Sequence, residues 1–461
     1  MSSINYSPYW WDSASLTEKP PPPLPSEADV VIVGAGFTGL SAALTLLRGG
    51  RSVVVVDKAK PGEGASTRNG GITSGYIRPT HTSISKKFGR AFADALWQES
   101  MAARRDLETF CKQEKIDADM QPRGWFRGAM TPRHFDSLQR EGERLAQFCH
   151  IPCEVIHRRD QMAEINTDRF YGGLLQHDIG GFHPAKFFAG LLKLVEKEGG
   201  VVCHSTAVKD ISPHITSHIN LHSNLQGNGP GGLQARTSKL VVTEAGTIRA
   251  GVVVIATNGY TGREGAFTRF LRRRLVPVRS SIIVTEELGT EVVKAAMPKL
   301  RMYSSSALLT TYFRPTPDGK RILLGSRGSE DNPGLASVKF LKKRLLEILP
   351  QLKNSGKDSD SDIGVEYCWV GNVAFTKRFL PTIFTHDGIH YAGGYAGSGT
   401  VWARWCGIKL AQHMLGSNTP PSVLIGQPPP PVPCYDGVAW FMPAIFAYYG
   451  GCDAINRLRY G

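Results

Sequence analysis

The sequence predicts an α/β fold in which a Rossmann-like domain is interleaved with an α+β part built on an antiparallel sheet, and three observations carry that prediction. A β-branched run from Ala28 to Val33 leads through the turn Gly34–Gly39 into a helix-compatible stretch, Leu40–Arg48, and a second buried-strand run, Ser52–Asp57. This β-α-β order implies a parallel sheet. Strand, Gly-rich turn and helix recur over His390–Leu415. Between them, Tyr312–Gly325 holds two strand-like runs about Pro317-Asp318-Gly319, the pattern of an antiparallel hairpin.

At 461 residues the chain exceeds one typical core, so two connected domains are expected. Pro20–Pro23 with Pro25 must be extended, delivering Tyr9-Trp10-Trp11 onto a surface away from the first strand. Arg90–Gln113, Pro132–Cys149 and Pro184–Glu198 have helical patterns, and Gly124–Met130 reads as a strand. Gly200–Ile211 is expected to be a strand pair with a turn, Gly227–Gly232 a hairpin tip, and Val252–Ile255 a buried strand. Ser337–Leu349 is amphipathic, with Val338, Leu341, Leu345 and Leu349 on one face. Beyond Pro428–Pro431, Trp440-Phe441-Met442-Pro443 and Tyr448-Tyr449 are expected to pack on the body instead of dipping into a membrane surface, because Pro443 interrupts a continuous amphipathic helix.

The net charge of +14 raises the question of nucleic acid or an anionic surface. The densest basic cluster, Arg269 with Arg272, Arg273 and Arg274, has no aromatic-interleaved RNA motif or zinc-finger spacing beside it, so no nucleic-acid partner is expected. Eight cysteines without a C-x-x-C pair read as reduced cytosolic thiols, and no metal site is expected. Met1–Ser26 is not a basic-then-apolar leader, and no apolar stretch approaches the ~20 residues of a membrane span. The expected location is cytoplasmic.

Gly34-Ala35-Gly36-Phe37-Thr38-Gly39 matches G-x-G-x-x-G in its proper setting, with a strand before it and a helix after it. The glycines permit a tight turn, backbone approach to a diphosphate and close helix packing, while the helix start offers free N–H groups to the anion. Asp57 closes the next strand, where a carboxylate can hold ribose hydroxyls. In Gly64–Gly71, Ser66, Arg68 and Asn69 supply hydrogen bonds, and Gly70 and Gly71 let backbone lie against a flat ring. The reading is a dinucleotide-binding redox enzyme.

At these residues the chain resembles the D-amino-acid-oxidase-like FAD oxidoreductases, and within them the gamma-glutamylputrescine oxidoreductase-like branch. The resemblance rests on Tyr9-Trp-Trp-Asp12, Val30–Ala43, Gly64–Gly71, Ala256-Thr-Asn-Gly-Tyr260, Arg378-Phe-Leu-Pro381 and Ala392–Gly399, over nearly the whole chain. It implies FAD-binding segments over 28–100, 181–270 and 361–420, substrate-domain segments over 101–180 and 271–360, an extension over 1–27 and a tail over 421–461. Gly34, Gly36, Phe37, Thr38 and Gly39 would contact the diphosphate, and Asp57 and Lys58 would border the ribose. The Gly64–Gly71 segment would run beneath the flavin, Val208 would meet the adenine, and Thr257, Asn258 and Gly259 would lie under the diphosphate. Gly394, Gly397, Ser398, Gly399 and Thr400 would meet the isoalloxazine, where a helix start stabilises negative charge.

The resemblance further implies oxidation of a C–N bond in a small amine or amino acid by hydride transfer to FAD, giving an imine that hydrolyses to a carbonyl product. No Ser-His-Asp or paired-carboxylate set is expected, since the flavin performs the difficult step. Tyr367, Trp369 and Tyr395 are aromatic candidates for the substrate walls, and Arg127, Arg314 and Arg327 for a substrate carboxylate. His81 is a candidate contact or attachment point. Sarcosine oxidases carry a lysine near the flavin that assists reaction with oxygen; Leu323 falls at that point here, which points away from oxygen as the natural acceptor, the partner being oxygen or another electron acceptor. They also carry a cysteine linked to FAD, and Cys368 lies near the matching region without coinciding, so noncovalent FAD is expected. The alternatives are an amine dehydrogenase feeding a quinone or carrier protein, and a noncatalytic flavin-binding protein.

Overall fold

The computed structural model describes residues 4–14, 16, 20–214, 238–327, 333–353, 355–356 and 362–460. The expected hairpin tip at 227–232 lies outside them.

The run Glu27–Val33 is apolar on both faces from Val30 onward because helices cover one side of the sheet it centres, and antiparallel strands carrying Val208, Val241 and Ile248, with Leu271, cover the other. Val30–Val33 pairs in parallel with Val53–Val56 on one side and with Val252–Ile255 on the other. The parallel sheet continues outward to Val201–Cys203 at one edge, and at the other to Ile389–Gly393 and the antiparallel Thr382–His386. Val30, Ile32 and Val55 are fully buried, each contributing about 1.5–3 kcal/mol relative to exposure. Val201–Cys203 and Val208–Pro213 do not form the expected pair. The first extends the parallel sheet beside Val54–Val56, whereas the second pairs with Lys239–Thr243 in a separate antiparallel arm.

The second sheet runs, in spatial order, Val365–Phe375, Val276–Thr285, Ile322–Arg327, Thr311–Pro315, Met302–Ser305, Trp125–Gly128, Gly173–Gln176 and Cys153–Ile156. The hairpin about Pro317-Asp318-Gly319 forms as expected, with Phe313 opposite Leu324. One face carries Ile283, Phe313, Leu324 and Cys368 against the helix Leu335–Ile348, which buries Val338, Leu341 and Leu345 as its periodicity requires. The other face turns to the parallel sheet. Val365–Phe375 pairs along nearly its whole length with Val276–Thr285, so it belongs to this second sheet and not to the third FAD-binding segment expected from residue 361.

Two elements differ from expectation at the termini. Trp10 is fully buried and Asn5 joins the edge of Val365–Phe375, its N–H donating to the Glu366 carbonyl at 2.8 Å. The N-terminal aromatics are therefore a wedge between the two domains. At the other end Pro443 stands in the first turn of a helix, Met442–Tyr460, where the missing N–H is tolerated, so it opens the helix instead of interrupting one. Phe441, Met442 and Phe446 pack beside Tyr435 and Phe375, while Trp440, Tyr448 and Leu458 are exposed. Among the described residues no helix is long and apolar enough to cross a membrane.

His183 caps the helix Pro184–Lys197: its Nδ1 accepts the Lys186 N–H, so Nε2 carries the hydrogen toward Ser13 Oγ at 2.7 Å. Burial lowers its pKa from 6.5 to about 4. The unfolded chain takes up a proton in that interval and the folded chain does not, so stability falls as pH drops from about 6.5 towards about 4. Melting temperature followed across this window should fall more steeply in the wild type than in His183→Asn, which keeps a capping acceptor. Equal slopes would remove His183 from the acid sensitivity.

Candidate FAD site

The strand Glu27–Val33 ends at Gly34, whose φ of +110° and nearness to the Ala256 carbonyl oxygen, 2.9 Å from where a Cβ would stand, admit no side chain. Gly39 is closed for a different reason, since its Cβ would run into the Gly34 carbonyl oxygen. Gly36 has ordinary extended backbone, and only Ser66 Oγ, at 3.0 Å, would meet a Cβ there. It is the glycine that faces a cavity. The first intrahelical bond runs from Leu40 to the Gly36 carbonyl, which leaves the amides of Thr38 and Gly39 without intrahelical acceptors at the helix start. The Phe37 amide donates to Ser66 Oγ at 2.9 Å.

That cavity, about 640 Å³, is lined by Gly34, Gly36, Phe37, Thr38, Asp57, Lys58, Ser66, Arg68, Asn69, Val208, Thr257, Asn258, Tyr395, Gly397, Gly399 and Thr400 among others. Residues from both ends of the chain thus meet in one space. Asp57 accepts the amides of Ala35 and Ala59 at 2.7 and 2.9 Å, so its carboxylate is fixed between the two loops at the cavity wall. Burial raises its pKa against these two bonds. Opposite, Gly394 and Gly397, with φ of +77° and +104°, and Ala396 at +52° make the turn that aims the start of Gly399–Met414 into the cavity. Its first amides, like those of the first helix, precede any intrahelical acceptor.

Gly39, Gly70, Gly71, Gly259, Gly394 and Ser398 stand behind the wall and shape it. Ser398 Oγ donates to the Tyr76 carbonyl at 2.8 Å, and the Gly259 carbonyl accepts Asn372 Nδ2 at 3.2 Å. Gly70 faces the ring of Tyr312, 2.6 Å from where its Cβ would lie. The loop that holds these glycines is fastened from both sides. Trp369 Nε1 donates to the Arg68 carbonyl at 3.0 Å and Trp10 Nε1 to the Asn69 carbonyl at 2.8 Å, while Trp11 Nε1 reaches Thr67 Oγ1 at 2.8 Å. The sequence left open which surface receives Trp10 and Trp11, because nothing local tied the pair to residues 67–69.

The substrate candidates separate. Tyr395 lines the cavity with its hydroxyl 2.6 Å from Thr38 Oγ1, and burial pushes its pKa well above 10, so the phenol is neutral. Trp369 is a buried strut of the loop, and Tyr367 donates to Asp12 at 2.5 Å on the outer side. Arg314 is fully buried with its guanidinium spent on the carbonyls of Gly71, Phe182 and Pro315 and on Gln121 Oε1. It fastens the loop to the second sheet, with four of its five N–H groups already engaged by the protein. Arg127 pairs with Glu141 at 2.8 Å. Arg327 alone of the three reaches the second turn, its Nη2 2.5 Å from where a Gly397 Cβ would stand. His81 bonds Asp94 at 2.7 Å beneath Trp97 and Phe148, outside the cavity lining.

Leu323 is fully buried among Trp10, Ile282 and Trp369, so the place expected for a cation is apolar. Cys368 turns to the opposite face of its strand, into the core against Leu335–Ile348, and burial pushes its thiol up to about 11.

A long cavity that begins at one helix start beside a buried carboxylate, ends at a second, and is roofed by an antiparallel sheet defines an interleaved dinucleotide-binding oxidoreductase. FAD fits it on the donors present: free amides for a diphosphate, a fixed carboxylate for a ribose, and flat backbone where a side chain would intrude. Residues 29–413 match the DAO family, "FAD dependent oxidoreductase", and the chain belongs to that family. It is 28% identical over 422 residues to gamma-glutamylputrescine oxidoreductase of Escherichia coli, covering 90% of this chain and 88% of that protein. Among solved structures it is similar to glycine oxidase from Geobacillus kaustophilus (TM-score 0.65, 18% identity, 86% of this chain and 96% of that one). It is also similar to L-proline dehydrogenase from P. horikoshii (TM-score 0.66, 17% identity, 86% and 96%).

Because Gly36 needs no special backbone, Gly36→Val should fold yet fill the space where a diphosphate approaches. Purified variant is expected to hold less than about a tenth of the FAD of the wild type, judged by the ratio of flavin to protein absorbance. A fully yellow Gly36→Val would remove this turn from the cofactor site.

Proposed function

We propose that this protein oxidises the C–N bond of an amine or amino acid with noncovalently bound FAD, producing an imine that hydrolyses to a carbonyl product. The observation that carries the reading is that two Gly-rich turns, separated by more than 300 residues of sequence, open their helix starts on one cavity. FAD, when bound, supplies hydride acceptance. Thr38 would hold the diphosphate through its free backbone amide at the helix start, and Asp57 would hold the ribose. The helix start at Gly399 and Thr400 places its positive end where a flavin ring gains negative charge, which favours reduction. Tyr395, neutral and held by Thr38, keeps the inner wall in place without adding a charge. Trp10 and Trp369 close the loop side to water, so the reacting amine meets a dry surface.

The names of the proteins it is similar to, a gamma-glutamylputrescine oxidoreductase and enzymes of glycine and L-proline, agree with an amine or amino-acid substrate. Noncovalent binding is supported by Cys368, which points into the far core. The apolar surroundings of Leu323 favour an acceptor other than oxygen, since no cation stands there to attract superoxide-like charge.

Anaerobic addition of a panel of amines and amino acids is expected to bleach the oxidised flavin with at least one of them. Readmitted air should restore the colour far more slowly than a quinone or dye. Rapid recolouring in air would make the protein an oxidase, and no bleaching by any amine would leave a different substrate class or a noncatalytic role.

A further inference from the structure

His81 lies outside the flavin cavity, and the polar groups around it come from three helices. It opens His81–Phe88, Asp94 stands in the early turns of Arg90–Gln113, and Cys149 closes Pro132–Cys149. His81 and Cys149 are buried and Asp94 is half-buried. One ligand atom from each, an imidazole nitrogen, a carboxylate oxygen and the thiol sulfur, lies within 4.8 Å of the other two. Among the described residues no other three histidine, cysteine, aspartate or glutamate groups converge in this way.

The ligand types and their spacing suit one kind of ion. Tetrahedral zinc, with bonds of about 2.0–2.3 Å to nitrogen, oxygen and sulfur, holds its ligands about 3.3–3.8 Å apart. His81 Nε2 and Asp94 Oδ1, now 2.7 Å apart, need to open by roughly half an ångström, and the sulfur to close by at most about 1.5 Å. Thiolate with imidazole selects zinc-like ions over magnesium or calcium, which take oxygen sets. A thiol beside a carboxylate is a poor hydrogen-bond donor, so that contact gains little without an ion. A divalent cation changes this, because thiolate and carboxylate balance its two charges.

The outer partners of such a site are also in place. His81 Nδ1 lies 3.4 Å from Ser85 Oγ, so when Nε2 turns to the ion the ring hydrogen moves to Nδ1 and donates to that hydroxyl. Arg90 Nε stands 3.6 Å from Asp94 Oδ2, the oxygen that does not bond His81. Trp97 meets the imidazole edge-on and Phe148 stacks against it, while Asp94 keeps a path open to solvent.

We infer that His81, Asp94 and Cys149 bind a zinc-class divalent ion, with water in the fourth position. Binding releases the Cys149 thiol proton to solvent and leaves the ligand set neutral. Three protein ligands and a water make an exchangeable site, so its occupancy follows the free metal. The ion clasps three helices and stands apart from the flavin chemistry. One of them continues the path out of the flavin loop, which Ser100 Oγ of Arg90–Gln113 already holds by donating to the Gly75 carbonyl at 2.8 Å. A bond through Asp94 fastens that path to the same helix a second time.

The test is equilibrium dialysis of tag-free, FAD-loaded, chelator-treated protein against Zn2+, counting bound metal per chain, with a Co2+ spectrum recorded at wavelengths longer than flavin absorption. One Zn2+ per chain is expected, undisturbed by excess Mg2+, and Co2+ should give the intense bands of a tetrahedral site. Cys149→Ser and His81→Gln should each weaken Zn2+ binding by about tenfold or more, whereas Cys434→Ser, which removes an exposed thiol, should leave it unchanged. Zn2+ should raise the melting temperature of the wild type and not that of Cys149→Ser. No bound Zn2+, binding as tight in Cys149→Ser as in the wild type, loss of binding in Cys434→Ser, or weak octahedral Co2+ bands would overturn the assignment. If the ligand variants do not fold, the wild-type Co2+ spectrum and Ser85→Ala decide, since the latter removes only an outer partner and should still weaken Zn2+ binding.

Discussion

Two indole N–H groups, those of Trp10 and Trp369, hold the consecutive carbonyls of Asn69 and Arg68, and the placement of everything around the flavin loop depends on that pair. One indole belongs to the N-terminal segment and the other to the second sheet. Each bond is worth only about 1 kcal/mol net, but a buried carbonyl left without its donor costs about 1–3 kcal/mol. The loop therefore cannot shift relative to either partner without orphaning a polar group. Arg314 adds a third fastening through the Gly71 carbonyl. With residues 68–71 fixed, the stretch of cavity wall formed by Arg68 and Asn69 and backed by Gly70 and Gly71 is rigid before any ligand arrives.

This fastening explains how two interleaved sheets act as one frame. The parallel sheet supplies the first turn and Asp57, whereas the antiparallel sheet supplies the strands that face the second turn. Gly407 lets the helix Gly399–Met414 approach so closely that its Cβ would meet the Thr38 carbonyl, which locks the two helix starts to each other. A ligand spanning them meets a site whose two ends do not move independently.

Much of the parallel half was legible in the sequence, for a physical reason. Val30–Val33 and Val53–Val56 are buried on both faces and so read as continuous apolar runs, and the glycines between them are required by contacts with Ala256 and with Gly34 itself. The hairpin about Asp318 was equally plain. What stayed hidden depends on contacts between residues far apart in the chain. Nothing near Val201 distinguishes a strand that pairs with Val208 from one that pairs with Val54. Pro443 looked like an interruption because the helix it opens has no strong apolar periodicity. Arg314 was a candidate for a ligand on the strength of its guanidinium, and only the three-dimensional arrangement shows that four acceptors of the protein already use it.

The N-terminal wedge also bears on the order in which the molecule is assembled. Asp12 bonds a residue 355 positions later, and Asn5 pairs with the same strand. During synthesis these residues leave the ribosome well before the strand that receives them, which lies 355 positions further along the chain at Tyr367. Such long loops close slowly, because their chain entropy is lost before any contact repays it. Until that strand exists, Tyr9 and Trp10 lack the part of their packing that Tyr367 and Trp369 supply. The nascent chain therefore carries a partly exposed aromatic cluster until that strand is made, a period in which chaperone capture and premature association compete with folding.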